Sequence, residues 1–103
     1  MIKVSVLYPN SQQAEFNLDY YCNSHIPMVQ EKLGNACKKV TVESGLCGAE
    51  PEASAPYIAM GHLYFDSLTK YQQAFAPHAE DLLNDIPNYT NVQPEIQISK
   101  VQL

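Results

Sequence analysis

The chain has 103 residues, 46% of them hydrophobic and 17% charged, with a formal net charge of -5. That is room for one globular domain (1–103) with a thin core, and the scattered acidic excess argues against a nucleic-acid partner, whose phosphates it would repel. No apolar run reaches the roughly 20 residues that span a bilayer, so no membrane partner is expected. "MIKVSVLYPN" reads as a strand rather than a signal sequence, which makes the cytoplasm the expected location.

The segment "IKVSVLY" (2–8) alternates and is rich in β-branched residues, as a strand does, and "PNSQ" ends it in a turn. From Phe16 to Leu33 the period becomes helical. At about 100° per residue, Leu18, Tyr21, Cys22, His25, Val29 and Leu33 fall on one stripe, opposite Asn17, Asp19, Asn23 and Gln30. Gly34 stops that helix, and "ACKKVTVESGL" (36–46) follows as a second strand before the loop "CGAEPEASAP". "YIAMGHLYF" (57–65) is apolar on both parities, the mark of a central strand covered on both faces. Ser67 caps the second helix, whose stripe is Leu68, Tyr71, Phe75, Ala79, Leu82 and Ile86, with His78 at its edge. "DIPNYTNVQP" is a loop by composition, and "EIQISKV" (95–101) is the last strand.

The resulting order, β-α-β-β-α-β, predicts an α+β, ferredoxin-like unit with an antiparallel sheet, the first and third strands in its middle and both helices on one face. Two helices cover one face only. Ile58, Met60, Leu63 and Phe65 are apolar on alternating sides, so the open face needs a second sheet, most simply that of a second copy.

Two of the chain's three histidines lie beside prolines in helical segments: His25 before Pro27, and His78 after Pro77. Proline lacks an N–H and clashes with the carbonyl four residues back, so each helix should bend or divide there, with Ser24 a plausible cap for a turn restarting at Pro27. Either histidine can be a neutral core residue bonded to a tyrosine or a carbonyl. Alternatively, Tyr21 with His25 and Tyr71 with His78 face one sheet from two stripes and enclose an apolar pocket with a few polar groups. Tyr21, Tyr64 and Tyr71 are expected indoors, whereas Phe16 and Tyr20 lie off the stripe. His62 is expected at an interface or in the core. Cys22, Cys37 and Cys47 are odd in number and lack a CxxC spacing, so they read as reduced, mostly buried thiols, and Cys22 with His25 makes only half a zinc site. No metal is expected. With no glycine-flanked serine and no glycine-rich loop, nucleophilic triads and nucleotide chemistry are not indicated.

"DYYCNSHIP", "GHLYF", "FAPHAEDLL" and "IPNYTN", in that order over nearly the whole chain, resemble the EthD family. The resemblance implies a dimeric α+β barrel, in which two ferredoxin-like sheets pack face to face. The family takes its name from a protein associated with bacterial degradation of ethyl tert-butyl ether. Related barrels include cofactor-independent monooxygenases, lactone isomerases and polyketide cyclases, with ligands lying between helices and sheet.

The expectation is therefore a homodimer that binds a small apolar organic compound and acts on it by acid–base chemistry without a cofactor, in ether or aromatic and polyketide-type metabolism. His25 would be the base or acid, neutral at pH 7 by burial without a charged partner, and Tyr21 would orient it or polarise a substrate oxygen. Leu18, Cys22, Val29, Tyr64, Tyr71, Phe75 and His78 complete the expected pocket. A non-catalytic accessory protein using the same pocket, or a purely structural dimer, are the alternatives.

Overall fold

A computed structural model describes residues 1–103. Strands β1 (Ile2–Pro9) and β3 (Tyr57–Phe65) form the centre of a four-stranded antiparallel sheet in the order β2-β3-β1-β4, flanked by β2 (Lys39–Ser44) and β4 (Glu95–Lys100). Helical segments fill both crossovers, giving the ferredoxin-like α+β arrangement that the element order predicts. β2 is shorter than the sequence suggests. Gly34, at φ 61, turns the chain after the first helix, and a 3-10 turn over Gly34–Ala36 delays the strand until Lys39.

The strand register decides which side chains meet the helices. Val4 is opposite Leu63 and Ile98, and Val6 is opposite Gly61 and Ile96, so these positions share one face. Val29, Leu33 and Leu82 pack on that face against Val4 and Phe65, and a second cluster joins Tyr8, Tyr21, Ile26, Ala59 and Tyr89. The opposite face carries Ser5, Leu7, Thr41, Met60, His62 and Tyr64 and no helix lies over it. Of the four apolar residues read in the third strand, Leu63 and Phe65 therefore point to the helices and Met60 away. Tyr64, expected indoors, is half-buried on the open face, with the Lys39 ammonium 5.4 Å from its ring centroid.

Both prolines disturb their helices, by different means. Asn17 caps α1 (Leu18–Tyr20), its side chain accepting from the Tyr20 amide. A π turn follows over Tyr21–His25, in which the Ile26 amide reaches back five residues to the Tyr21 carbonyl, and α2 (Ile26–Leu33) continues without a break. The widened turn accommodates Pro27 within an unbroken helix, so Ser24 makes no cap bond, contrary to the restart expected there. In the second crossover Ser67 caps α3 (Leu68–Phe75) as predicted. A 3-10 turn at Ala76–His78, containing Pro77, then separates it from α4 (Ala79–Asn84), and a further 3-10 turn spans Ile86–Asn88.

Candidate functional site

Between the helices and the sheet lies a cavity of about 80 Å³. Its floor is Val4, Val6, Tyr8, Gly61 and Leu63, and its helical wall includes Tyr21, His25, Ile26, Val29, Tyr71, Phe75 and Tyr89. Leu83, Pro94 and Ile96 form the mouth, where Leu83 is 51% and Ile96 55% exposed. The walls are almost wholly apolar, and the hydrogen-bonded polar groups are His25, Tyr8 and Tyr89.

The polar end of the cavity is built around His25, which is 7% exposed. Its Nδ1 lies 2.8 Å from Oδ2 of Asp85, and its Nε2 lies 3.4 Å from the Tyr89 hydroxyl. The Tyr89 hydroxyl is in turn 2.7 Å from that of Tyr8. Tyr21 stacks on the His25 ring at a centroid distance of 5.5 Å and stands edge-on to Tyr8 at 5.7 Å, where its hydroxyl makes a longer polar contact with the Tyr8 oxygen. Asp85 also accepts from the Tyr20 hydroxyl at 2.7 Å and from the Asn88 amide at 2.9 Å.

These contacts set the charge states. Burial alone would raise the Asp85 carboxyl, but hydrogen bonds from Asn88, His25 and Tyr20 outweigh it and hold the group below 3.8, as a carboxylate at neutral pH. Burial lowers His25 below 6.5 against the opposing pull of Asp85, so the imidazole is neutral at pH 7. The expectation of a neutral histidine therefore agrees with the structure, but for a different balance, because His25 has the charged partner that the sequence reading denied it. Burial also raises the phenols of Tyr8, Tyr21 and Tyr89, which remain protonated donors. A neutral base held by a carboxylate and surrounded by neutral phenols can move a proton and stabilise a developing oxyanion. No three of the chain's His, Cys, Asp and Glu side chains converge with metal-ligating geometry.

Of the residues expected at the pocket, Tyr21, His25, Val29, Tyr71 and Phe75 line the cavity, with Tyr71 stacked on Phe75 at 5.4 Å. Leu18 and Cys22 do not. Leu18 is 37% exposed and the Cys22 thiol faces solvent, because the π turn adds a residue to the helical period and rotates both away from the sheet. Phe16 and Tyr20, off the stripe in the sequence, do join the site: Phe16 lies ahead of the helix, bridged to Thr90, and the Tyr20 hydroxyl reaches Asp85. Phe16 packs 4.9 Å from Tyr8 and 5.4 Å from Tyr89. His78 is half-buried at the 3-10 turn between α3 and α4 and does not reach the cavity, and Tyr64 is on the far face of the sheet. Cys47 is exposed like Cys22 and Cys37 is half-buried, so the thiols are not the mostly buried set expected. His62 lies on the open face, its Nδ1 2.9 Å from the Ser5 hydroxyl.

Three residues of the polar end escaped the sequence reading. Tyr8 had a signal, since it shares the parity of Val4 and Val6. Tyr89 stands inside "IPNYTN", a family-like segment to which no role was given. Asp85 had none, being 60 residues from its partner in a loop.

The model of the EthD domain matches residues 9–93. An EthD-like protein from Ralstonia eutropha JMP134 is 42% identical, with a TM-score of 0.95 over 99% of this chain and 92% of that one. A dimeric protein of unknown function and ferredoxin-like fold from Bacteroides fragilis NCTC 9343 is 11% identical, with a TM-score of 0.51 over 97% and 95% of the two chains. SnoaB from Streptomyces nogalater, a cofactor-independent oxygenase, is 12% identical, with a TM-score of 0.50 over 99% and 92%. These last two likenesses concern the fold. No curated protein matches. A domain match from the end of β1 to the loop before β4, joined to a 42% identical relative that superposes from end to end, makes this chain a member of the EthD family.

Proposed function

We propose that the protein binds a small, largely apolar organic molecule in the cavity and acts on it by acid–base chemistry without a cofactor, His25 taking or returning the proton. The observation that carries this reading is the placement of His25, with Asp85 on one ring nitrogen and a phenol of the apolar cavity on the other. A carboxylate on Nδ1 fixes the tautomer that leaves Nε2 free to accept, and it stabilises the imidazolium once a proton arrives. Asp85 is in this reading a positioning residue, and Tyr21 meets the substrate oxygen. The fold of SnoaB, a cofactor-independent oxygenase, is consistent with such chemistry. The working unit is a homodimer whose open sheet faces pack together, since Leu7, Met60 and Tyr64 share a face over which no helix of the chain lies.

The test is native mass spectrometry against a panel of aromatic and branched small molecules, followed by product analysis of every compound bound. His25→Gln should keep stability within about 1 kcal/mol of the parent, because the amide can still donate to Asp85. Turnover should fall by about 10²-fold or more. Binding without product in the parent would mark an accessory protein instead, and a His25→Gln protein that turns over normally would remove His25 from the chemistry.

A further inference from the structure

We infer that the site receives an acidic hydroxyl, a phenol or a stable enol, whose proton enters a one-way chain of tyrosine hydroxyls and comes to rest on His25. The inference rests on the acid–base reading above and adds the class of ligand and the route of the proton.

Asp85 fixes the direction of the chain. As a carboxylate it can only accept, so the Nδ1 of His25 carries the hydrogen between them and Nε2 is left as an acceptor. The Tyr89 hydroxyl, 3.4 Å away, must then donate to Nε2. Its oxygen is left to accept from Tyr8 at 2.7 Å, and the Tyr8 oxygen faces the Tyr21 hydroxyl. The Tyr8 and Tyr89 hydroxyls therefore both point toward His25, and the Tyr21 hydroxyl extends the chain by turning onto the Tyr8 oxygen. The open end is the Tyr21 oxygen, held over Gly61, where the absence of a Cβ admits it to the cavity floor.

A ligand hydroxyl that donates to Tyr21 completes the chain. Its O–H bond breaks and one forms on Tyr21, whose own proton passes to Tyr8; that of Tyr8 passes to Tyr89, and that of Tyr89 forms the N–H at Nε2. The ligand becomes an oxyanion and His25 an imidazolium facing Asp85, with no change of oxidation state. Returned to a different atom of the ligand, the proton converts an enol into its keto tautomer. Transfer of this kind needs a proton held on an atom that hydrogen-bonds to its acceptor, which a hydroxyl offers and an alkyl C–H does not.

Charge and size narrow the class further. No lysine or arginine lines the cavity, so a carboxylate or phosphate would lose its hydration without compensation. At about 80 Å³ the space is smaller than the ~150 Å³ apolar cavity that accepts a benzene ring. A ring must therefore project through the mouth, where Leu83 and Ile96 offer an apolar rim.

The probe is 4-nitrophenol, whose phenolate absorbs at longer wavelength than the phenol, buffered below its own ionisation. Bound to the protein it should show the phenolate band, and the 15N signals of His25 should move to imidazolium. Tyr8→Phe cuts the chain while keeping the ring, so the probe should bind with at most about a tenfold loss, the worth of one hydrogen bond, and remain neutral. If Tyr8→Phe fails to fold, Tyr89→Phe cuts the same chain one link nearer His25 and carries the same expectation. A phenolate band that survives in the folded variant overturns the chain in favour of direct transfer to His25. A probe bound neutral by the parent overturns it too. A parent that binds naphthalene but not 4-nitrophenol overturns the hydroxyl class alone, and one that binds neither removes the ligand-binding reading with it.

Discussion

Gly61 lies directly beneath the hydroxyl of Tyr21, and no side chain fits between them: a Cβ built on Gly61 would meet the phenol oxygen at less than any real contact distance. The glycine at the centre of β3 is thus the reason the Tyr21 hydroxyl can reach down to the sheet and close the polar end of the cavity. Gly61→Ala should push that ring aside and cost about 1–3 kcal/mol, the usual range for overpacking a core. Thermal unfolding and the near-ultraviolet signal of the tyrosine cluster would measure it. A variant as stable as the parent, with an unchanged aromatic signal, would mean that Tyr21 is not held there.

Asp85→Asn keeps the size of the side chain and removes its charge. The carboxylate pulls the His25 pKa upward against the larger effect of burial, so its loss should lower that pKa further. The variant should also lose about 1–2 kcal/mol, since hydrogen bonds from Tyr20, Asn88 and His25 then reach a neutral acceptor. An NMR titration of the His25 ring gives the direction, and a pKa that rises on substitution would contradict the pairing.

Acid should weaken the fold in two stages. His25 has a folded pKa below 6.5, so the unfolded chain binds more protons there than the folded one. Its contribution is complete above that pH and is lost as pH falls through the lower folded value. Asp85 behaves alike from 3.8 downward. Melting temperature should be flat above about pH 7 and fall in acid, and His25→Gln should remove the upper stage only.

The open sheet face gives a separate prediction. Met60 sits on it opposite Glu43 and Leu7, so Met60→Asp places a charge beside an existing one with no cation as partner. Light scattering at low micromolar concentration should give about twice the 11.5 kDa chain mass for the parent and a folded monomer for the variant. A parent that runs as a monomer would sink the dimer, and a variant that stays dimeric would take the interface off this face.

The fold was legible because each strand and helix announced itself within its own segment. Alternation in "IKVSVLY" and the double apolar parity of "YIAMGHLYF" were enough to place both central strands. The site was less legible, for two reasons. A wheel at a constant angle assumes an unbroken period, and the π turn at Tyr21–His25 shifts the phase, so Val29 and Leu33 face the core as the wheel has them while Leu18 and Cys22 do not, and Phe16 is placed by its bridge to Thr90 rather than by any helix. And Asp85 meets His25 only through the fold of the whole chain, which no local spacing encodes.

The hydroxyl pair of Tyr8 and Tyr89 spans 81 residues of sequence. The cavity's polar end therefore exists only when the first strand and the last loop have both docked, and no fragment short of that span can hold a ligand there. Occupancy reports complete folding. A compound that fits should raise the unfolding free energy by mass action, about 2.7 kcal/mol at a hundredfold excess over its Kd, so a thermal-shift screen finds ligands through the same long-range closure that makes this part of the chain slow to assemble.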